Sequence, residues 1–154
     1  GTARMVDIAE KPVTARRAVA ECRVRISADL ARAIEANTVA KGSVLEVARL
    51  AGIQAAKRTD ELIPLCHSLP LDAVDVRAEL ANACVRIRAE AKTTARTGVE
   101  MEALTAAAVA ALTVIDMGKA IDKAMVVEGL RLVEKSGGRS GTYIAPPLDE
   151  EGGR

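Results

Sequence analysis

Apolar and polar residues alternate through "AVAECRVRI" (Ala18 to Ile26), the period of a half-buried strand. Ser27 then stands where the N-cap of a short helix "ADLARAIEA" should be. After "NTVAKG", Ser43 is placed to cap a second helix through "VLEVARLAGIQAAKRTDEL", which the proline of "LIP" ends. "DAVDVRAEL" and "ACVRIRAEAKT" alternate again across the short "AN", predicting an antiparallel hairpin. Arg86, Arg88, Glu90 and Lys92 then face away from Val85 and Ile87. The longest helix is expected from about Gly98 to Lys123, so nearly apolar that it should be buried on all sides. "MVVEGLRLVEK" predicts a fourth strand, and "SGGRSGTYI" a glycine-rich turn with a short edge strand.

Strand, helices, two strands, helix, strand suits an α+β fold: a ferredoxin-like antiparallel sheet with helices packed on one face. A chain of 154 residues is long enough to bury one core. A single domain is expected over residues 5–144, followed by a flexible tail over 145–154, "APPLDEEGGR". No internal repeat or linker divides it.

Composition narrows the partners. Twenty-two basic and twenty-one acidic residues leave a charge of +1, so no overall field recommends a nucleic acid or an anionic membrane. Tyr143 is the only aromatic ring besides the single histidine, which leaves almost nothing on which to stack bases. A core of Ala, Val, Leu and Ile buries less area per residue, and this predicts added burial by oligomerisation. Cys22, Cys66 and Cys84 form no CxxC pair, arguing against a disulfide framework or a cysteine-based zinc site. The run "ALTAAAVAALTVI" (Ala103 to Ile115) is shorter than the roughly 20 residues of a membrane span. The opening "GTARMVDIAEK" has no apolar signal-peptide core, so the expected location is cytoplasmic.

Polar residues in unexpected places mark the candidate chemistry. The lone His67, in "LIPLCHSLPL", would by default be structural. Glu100 and Glu102 open the long helix, where carboxylates also simply favour the positive end of the dipole. Asp116 stands near the opposite, negative end and needs compensation; Lys119, three residues on, shares its face and offers an ordinary helical ion pair. Glu102 and Asp116 project within roughly 40° of each other but about 21 Å apart along the axis. One small reacting centre cannot touch both, so a nucleotide-sized ligand must bridge them or a second subunit must supply its own copy. "EKSGGRSG" is either an anion nest flanked by Lys135 and Arg139 or an ordinary turn. One histidine, several carboxylates and several cations, without a cofactor motif, fit proton transfer and elimination on a polyphosphate.

"MVDIAEK", "LAGIQAAKRTDELIPLCHSLPL", "TGVEMEALTAAAVAALTVIDMGKA" and "RLVEKSGGRSG", in this order over about Met5 to Gly141, resemble the cyclic pyranopterin monophosphate synthase family, the MoaC proteins of molybdenum-cofactor (molybdopterin) biosynthesis. The resemblance implies a ferredoxin-like lyase assembled as a hexamer, a trimer of dimers, with active sites between subunits. It implies conversion of 3′,8-cyclo-7,8-dihydro-GTP to cyclic pyranopterin monophosphate with release of pyrophosphate, and neither a metal nor an organic cofactor. By the same resemblance Asp116 is the catalytic acid/base, with Lys119 and Lys41 as catalytic lysines. Leu65, Cys66, His67, Glu100, Met101, Glu102, Lys135 and Arg16 are implied to bind substrate. Ser68, Ile115 and Gly118 depart from the family's usual proline, tyrosine and cysteine, and Gly118 should loosen the helix beside Asp116. A non-catalytic nucleotide sensor and a purely structural assembly element are the competing readings.

Overall fold

The computed structural model describes residues 1–139 and 141–148; Ser140 of the glycine-rich turn and most of the expected tail, residues 149–154, lie outside the described residues. The chain runs β1 (Thr14–Arg25), α1 (Ala28–Ala36), α2 (Val44–Lys57), α3 (Thr59–Leu62), β2 (Ala73–Leu80), β3 (Cys84–Ala95), α4 (Glu100–Gly118), β4 (Val126–Ser136) and β5 (Tyr143–Ile144). The five strands form one sheet in the order β2-β3-β1-β4-β5, with every neighbouring pair antiparallel. The fold is thus α+β, with one sheet and four helices among the described residues.

Most boundaries follow the local physics. Ser27 caps α1, its hydroxyl accepting from the Leu30 N–H at 3.1 Å, and Asn37 closes the helix in the left-handed region at φ 55°. β1 begins four residues before the alternation becomes visible, because Thr14 to Arg17 pair with Ala95 to Lys92 of the long β3. The second helix is not continuous to Leu62. It breaks at Arg58, where the Thr59 hydroxyl, almost fully buried, donates to the Ala55 and Ala56 carbonyls and so competes with the helical ladder. The hairpin turns through Ala81 to Ala83, with Asn82 at φ 57°.

Alternation is realised across the sheet. Ala18, Ala20, Cys22 and Val24 of β1 join Val85, Ile87, Ala89 and Ala91 of β3 in the core beneath α4. The opposite face is polar and cross-linked: Arg17 reaches Glu90 at 2.9 Å and Glu134 at 2.7 Å, and Arg131 reaches Glu21 at 3.0 Å.

α4 corrects the expectation of a helix buried all round. Ala103, Ala106, Ala107, Ala110, Ala111 and Val114 are fully buried, yet Met101 and Leu112 on the outer side are 36% and 59% exposed. Nothing among the described residues of one chain covers that side. α4 is the one helix among the described residues long and apolar enough to cross a bilayer, and its inward face against the sheet makes it a core helix.

α2 and α4 pack antiparallel: the residues just before α2 meet the end of α4, and those after α3 meet its start. Gly52 sits at their crossing. A Cβ there would lie 3.0 Å from the Ala106 carbonyl oxygen and 3.1 Å from Val76 Cγ1, so the approach requires glycine. Gly52→Val should therefore cost about 1–3 kcal/mol by overpacking, read as a lower urea midpoint at constant m; an unchanged midpoint would mean that the helices separate freely.

Candidate active site

At the C-terminal end of α4, Asp116 Oδ2 accepts from Lys41 Nζ at 2.8 Å and Oδ1 from Lys119 Nζ at 3.0 Å. Lys41 comes from the turn between α1 and α2, closed by the Gly42 N–H on the Val39 carbonyl with Gly42 at φ 106°. The two ammonium groups supply the compensation that a carboxylate needs at this pole of the helix. They hold the Asp116 carboxyl below its ordinary range, Lys41 most strongly and Lys119 next. Of the two opposing influences open in the sequence, cations against desolvation, the cations win: Asp116 is about half exposed, so desolvation is weak.

Gly118 at this end is packed against α1. It is buried, and a Cβ there would meet Leu30 Cδ2 at 2.6 Å, so the Leu30 side chain occupies the space a larger residue would take. The turn beyond is fixed by Asp122, nine-tenths buried, whose carboxylate accepts from the Ser27 N–H at 2.7 Å and the Ala124 N–H at 2.9 Å. Asp122 thereby ties the lysine-bearing turn to the end of β1.

The second cluster gathers at the N-terminal end of α4. Glu100 pairs with Lys135 of β4 at 3.1 Å. Lys135 stands opposite Ala18, and Arg16, two residues earlier in β1, projects from the same face. The "SGG" turn lies against that arginine: Gly137 at φ 96° and Gly138 at φ 73° hold the left-handed conformation, and a Cβ on Gly138 would meet Arg16 Nη1. Arg16 Nε donates to the Ala95 carbonyl at 3.2 Å, which ties the guanidinium to the end of β3.

Glu102 is the anomaly here. Only 3% exposed, it accepts from the Cys66 thiol through Oε2 at 3.8 Å, and its Oε1 has no hydrogen-bond partner among the described residues. Burial pushes its carboxyl up to about 6. The Cys66 thiol is in turn pushed up to about 11, first by burial and then by the neighbouring Glu102 charge. Leu65 and Met101 present 48% and 36% of their surface beside this pair. His67, next to Cys66, meets the Val6 carbonyl through its Nε2 at 2.7 Å.

The candidate residues therefore fall into two groups. Lys41, Asp116 and Lys119 converge at one end of α4; Arg16, Lys135, Glu100, Met101, Glu102, Leu65, Cys66 and His67 collect at the other. The 14 residues from Glu102 to Asp116 span about 21 Å. The Val6 contact and the Asp122 tie escaped sequence reasoning. Every residue carries a carbonyl, so only the folded chain singles out that of Val6, while the acidic residue just past a helix end was the available hint for Asp122.

The high Glu102 value has a consequence for stability. Below the ordinary value of 4.5 the carboxyl is protonated in both folded and unfolded chains; as pH rises through about 6 the folded state must ionise a buried group, and that stability is lost. Glu102→Gln, which cannot ionise, should exceed the parent by about 2 kcal/mol above pH 7 and lose its advantage below pH 4.5. Denaturant titration at both pH values measures this, and a pH-independent difference would contradict it.

The sequence profile of the MoaC family matches residues 5–138. A Thermomicrobium roseum protein named cyclic pyranopterin monophosphate synthase is 58% identical over 145 residues, covering 93% of this chain and 87% of its own length. A protein of the same name from Heliobacterium modesticaldum is 58% identical over 146 residues, covering 94% and 92%. A third, from Rhodopirellula baltica, is 50% identical over 154 aligned residues, covering 93% and 88%. Identity at this level, together with a profile match that takes in both ends of α4, settles the kinship: the chain belongs to the MoaC family.

Proposed function

We propose that the chain is a cyclic pyranopterin monophosphate synthase, a lyase that converts 3′,8-cyclo-7,8-dihydro-GTP to cyclic pyranopterin monophosphate and pyrophosphate in an early step of molybdenum-cofactor biosynthesis. The name shared by relatives 50–58% identical supports it. The observation that carries the chemistry is the carboxylate of Asp116 held between Lys41 and Lys119, with a second, protonatable carboxyl at Glu102.

Two carboxyl groups with values pushed apart suit opposite proton roles. Asp116, kept ionised by its lysines, accepts a proton; Glu102, poised near 6, donates one. Arg16 and Lys135 neutralise the triphosphate. A ribose-derived hydroxyl then attacks the α-phosphorus, its proton passing to a base. The new O–P bond forms as the bond from the α-phosphorus to the bridging oxygen breaks, and pyrophosphate carries that oxygen away. Leu65, Cys66, His67, Glu100 and Met101 line the binding half of the site.

The domain covers residues 5–144, and the enzyme is cytoplasmic. Its first four strands lie in the order 2-3-1-4 with helices in both crossovers, which supports a ferredoxin-like fold. The separation of the two clusters is resolved by a second copy. Met101, Leu104, Ala108, Leu112 and Ile115 make an apolar stripe on the outer side of α4, flanked by Leu50 of α2 at 52% exposure. Residue 109 lies midway between Glu102 and Asp116. A two-fold axis there packs α4 antiparallel on its copy and brings the partner subunit's Asp116 to Glu102, completing two sites per dimer. Three such dimers make the hexamer implied by the family.

Asp116→Asn should lower turnover by about 10²–10⁴-fold, followed as product and pyrophosphate together. Lys135→Ala, with its defect in the other cluster, should also be impaired. Co-refolding the two variants in equal amounts should restore about a quarter of the parent activity, since half the dimers are mixed and each holds one intact composite site. Absence of recovery would place each site within one chain.

A further inference from the structure

The N-terminal arm makes one contact that the reaction outlined above leaves unused. Residues 1–13 contain no helix or strand, and the Met5 and Val6 side chains are 48% and 64% exposed. The arm keeps its shape through short-range bonds: the Ala9 N–H donates to Asp7 Oδ1 at 2.9 Å, and the Lys11 N–H to the Ile8 carbonyl at 3.0 Å. Across 61 residues of sequence, the Val6 carbonyl oxygen meets His67 Nε2 at 2.7 Å. A carbonyl oxygen only accepts, so the proton of this bond belongs to Nε2. When the ring is neutral, Nδ1 is then the unprotonated nitrogen, an acceptor.

We propose that the arm is a positioning strap: the Val6 carbonyl fixes His67 in the Nε2–H tautomer and presents Nδ1 to the ligand as a hydrogen-bond acceptor or base. The assignment of the tautomer stands on geometry alone. Its service to the reaction rests on the functional reading above, which puts His67 against the substrate. The main-chain oxygen does the work, so the identity of the side chain at position 6, pointing into solvent, is unimportant. Because one neutral hydrogen bond is a modest bias, roughly fivefold in population, the strap can also lift to admit a ligand.

His67 is the only histidine in the chain, so its two ring nitrogens can be read without assignment by long-range proton–nitrogen NMR at a pH that neutralises the ring. In the full chain Nε2 should carry the proton and Nδ1 should resonate as unprotonated. Deleting residues 1–8 should shift the populations roughly fivefold toward the other tautomer. It should also lower kcat/KM for 3′,8-cyclo-7,8-dihydro-GTP, by no more than that factor, with the fold, checked by circular dichroism, unchanged. Val6→Ala, which keeps the carbonyl, should match the parent in both readouts, and Asp7→Ala, which loosens the turn at Ala9, should move both in the direction of the deletion. Nitrogen shifts that survive the deletion overturn the strap. Shifts that change while kcat/KM does not overturn its role in the reaction. A full chain that forms no product overturns the functional reading, and with it that role, while the NMR result still decides the tautomer.

Discussion

Helix α4 can lie flat on the sheet because its inward face is almost entirely alanine. Ala103, Ala106, Ala107, Ala110 and Ala111 contribute so little bulk that the helix backbone comes close to β1, near enough for the Cys22 thiol to donate to the Ala107 carbonyl at 3.4 Å. Gly52 gives the same closeness on the α2 side. A thin, 19-residue helix results, and its two ends are held apart by everything packed along it. Every candidate for chemistry stands at one end or the other.

The two ends are electrostatic opposites. At the start of α4, burial works against charge, and Glu102 is left with an unpartnered oxygen and a raised pKa. At its end, exposure and two lysines favour charge, and Asp116 remains ionised. The helix dipole alone would push these groups in the reverse sense, stabilising an anion at the start and destabilising one at the end. Local desolvation and local cations outweigh it at both positions, and the two carboxyls end up shifted in opposite directions, Glu102 up and Asp116 down.

The order and nature of the elements were legible because each depends on nearest neighbours: alternation in β1 and β3, Ser27 before α1, Pro64 after α3. The break at Arg58 was not, since Thr59 competes with the ladder only once it is buried. The exposure of Leu112 was also hidden, because an all-apolar helix reads the same whether its outer side meets its own chain or another. Among site residues, Asp116 with Lys119 could be paired from spacing, whereas Lys41, 75 residues away from Asp116, depends on the tertiary path of the α1–α2 turn. The "SGG" stretch could be an anion nest or an ordinary turn in the sequence; that Gly138 lies against the guanidinium of Arg16 depends on the pairing of β1 with β4 and appears only in the folded chain.

Cys66 constrains the chemistry from the other direction. A cysteine beside a histidine invites comparison with a nucleophilic pair, which needs a thiolate near neutral pH and an imidazole within reach of the sulfur. Here the thiol is pushed up to about 11, so it stays protonated, and the His67 Nε2 is committed to the Val6 carbonyl. The sulfur's proton is directed at Glu102 and the His67 carbonyl, at 3.8 and 3.7 Å. As a donor to Glu102, Cys66 favours the ionised carboxylate, and burial opposes it. The carboxyl is left close to the balance point between its two forms, where a modest change in its surroundings is enough to move a proton.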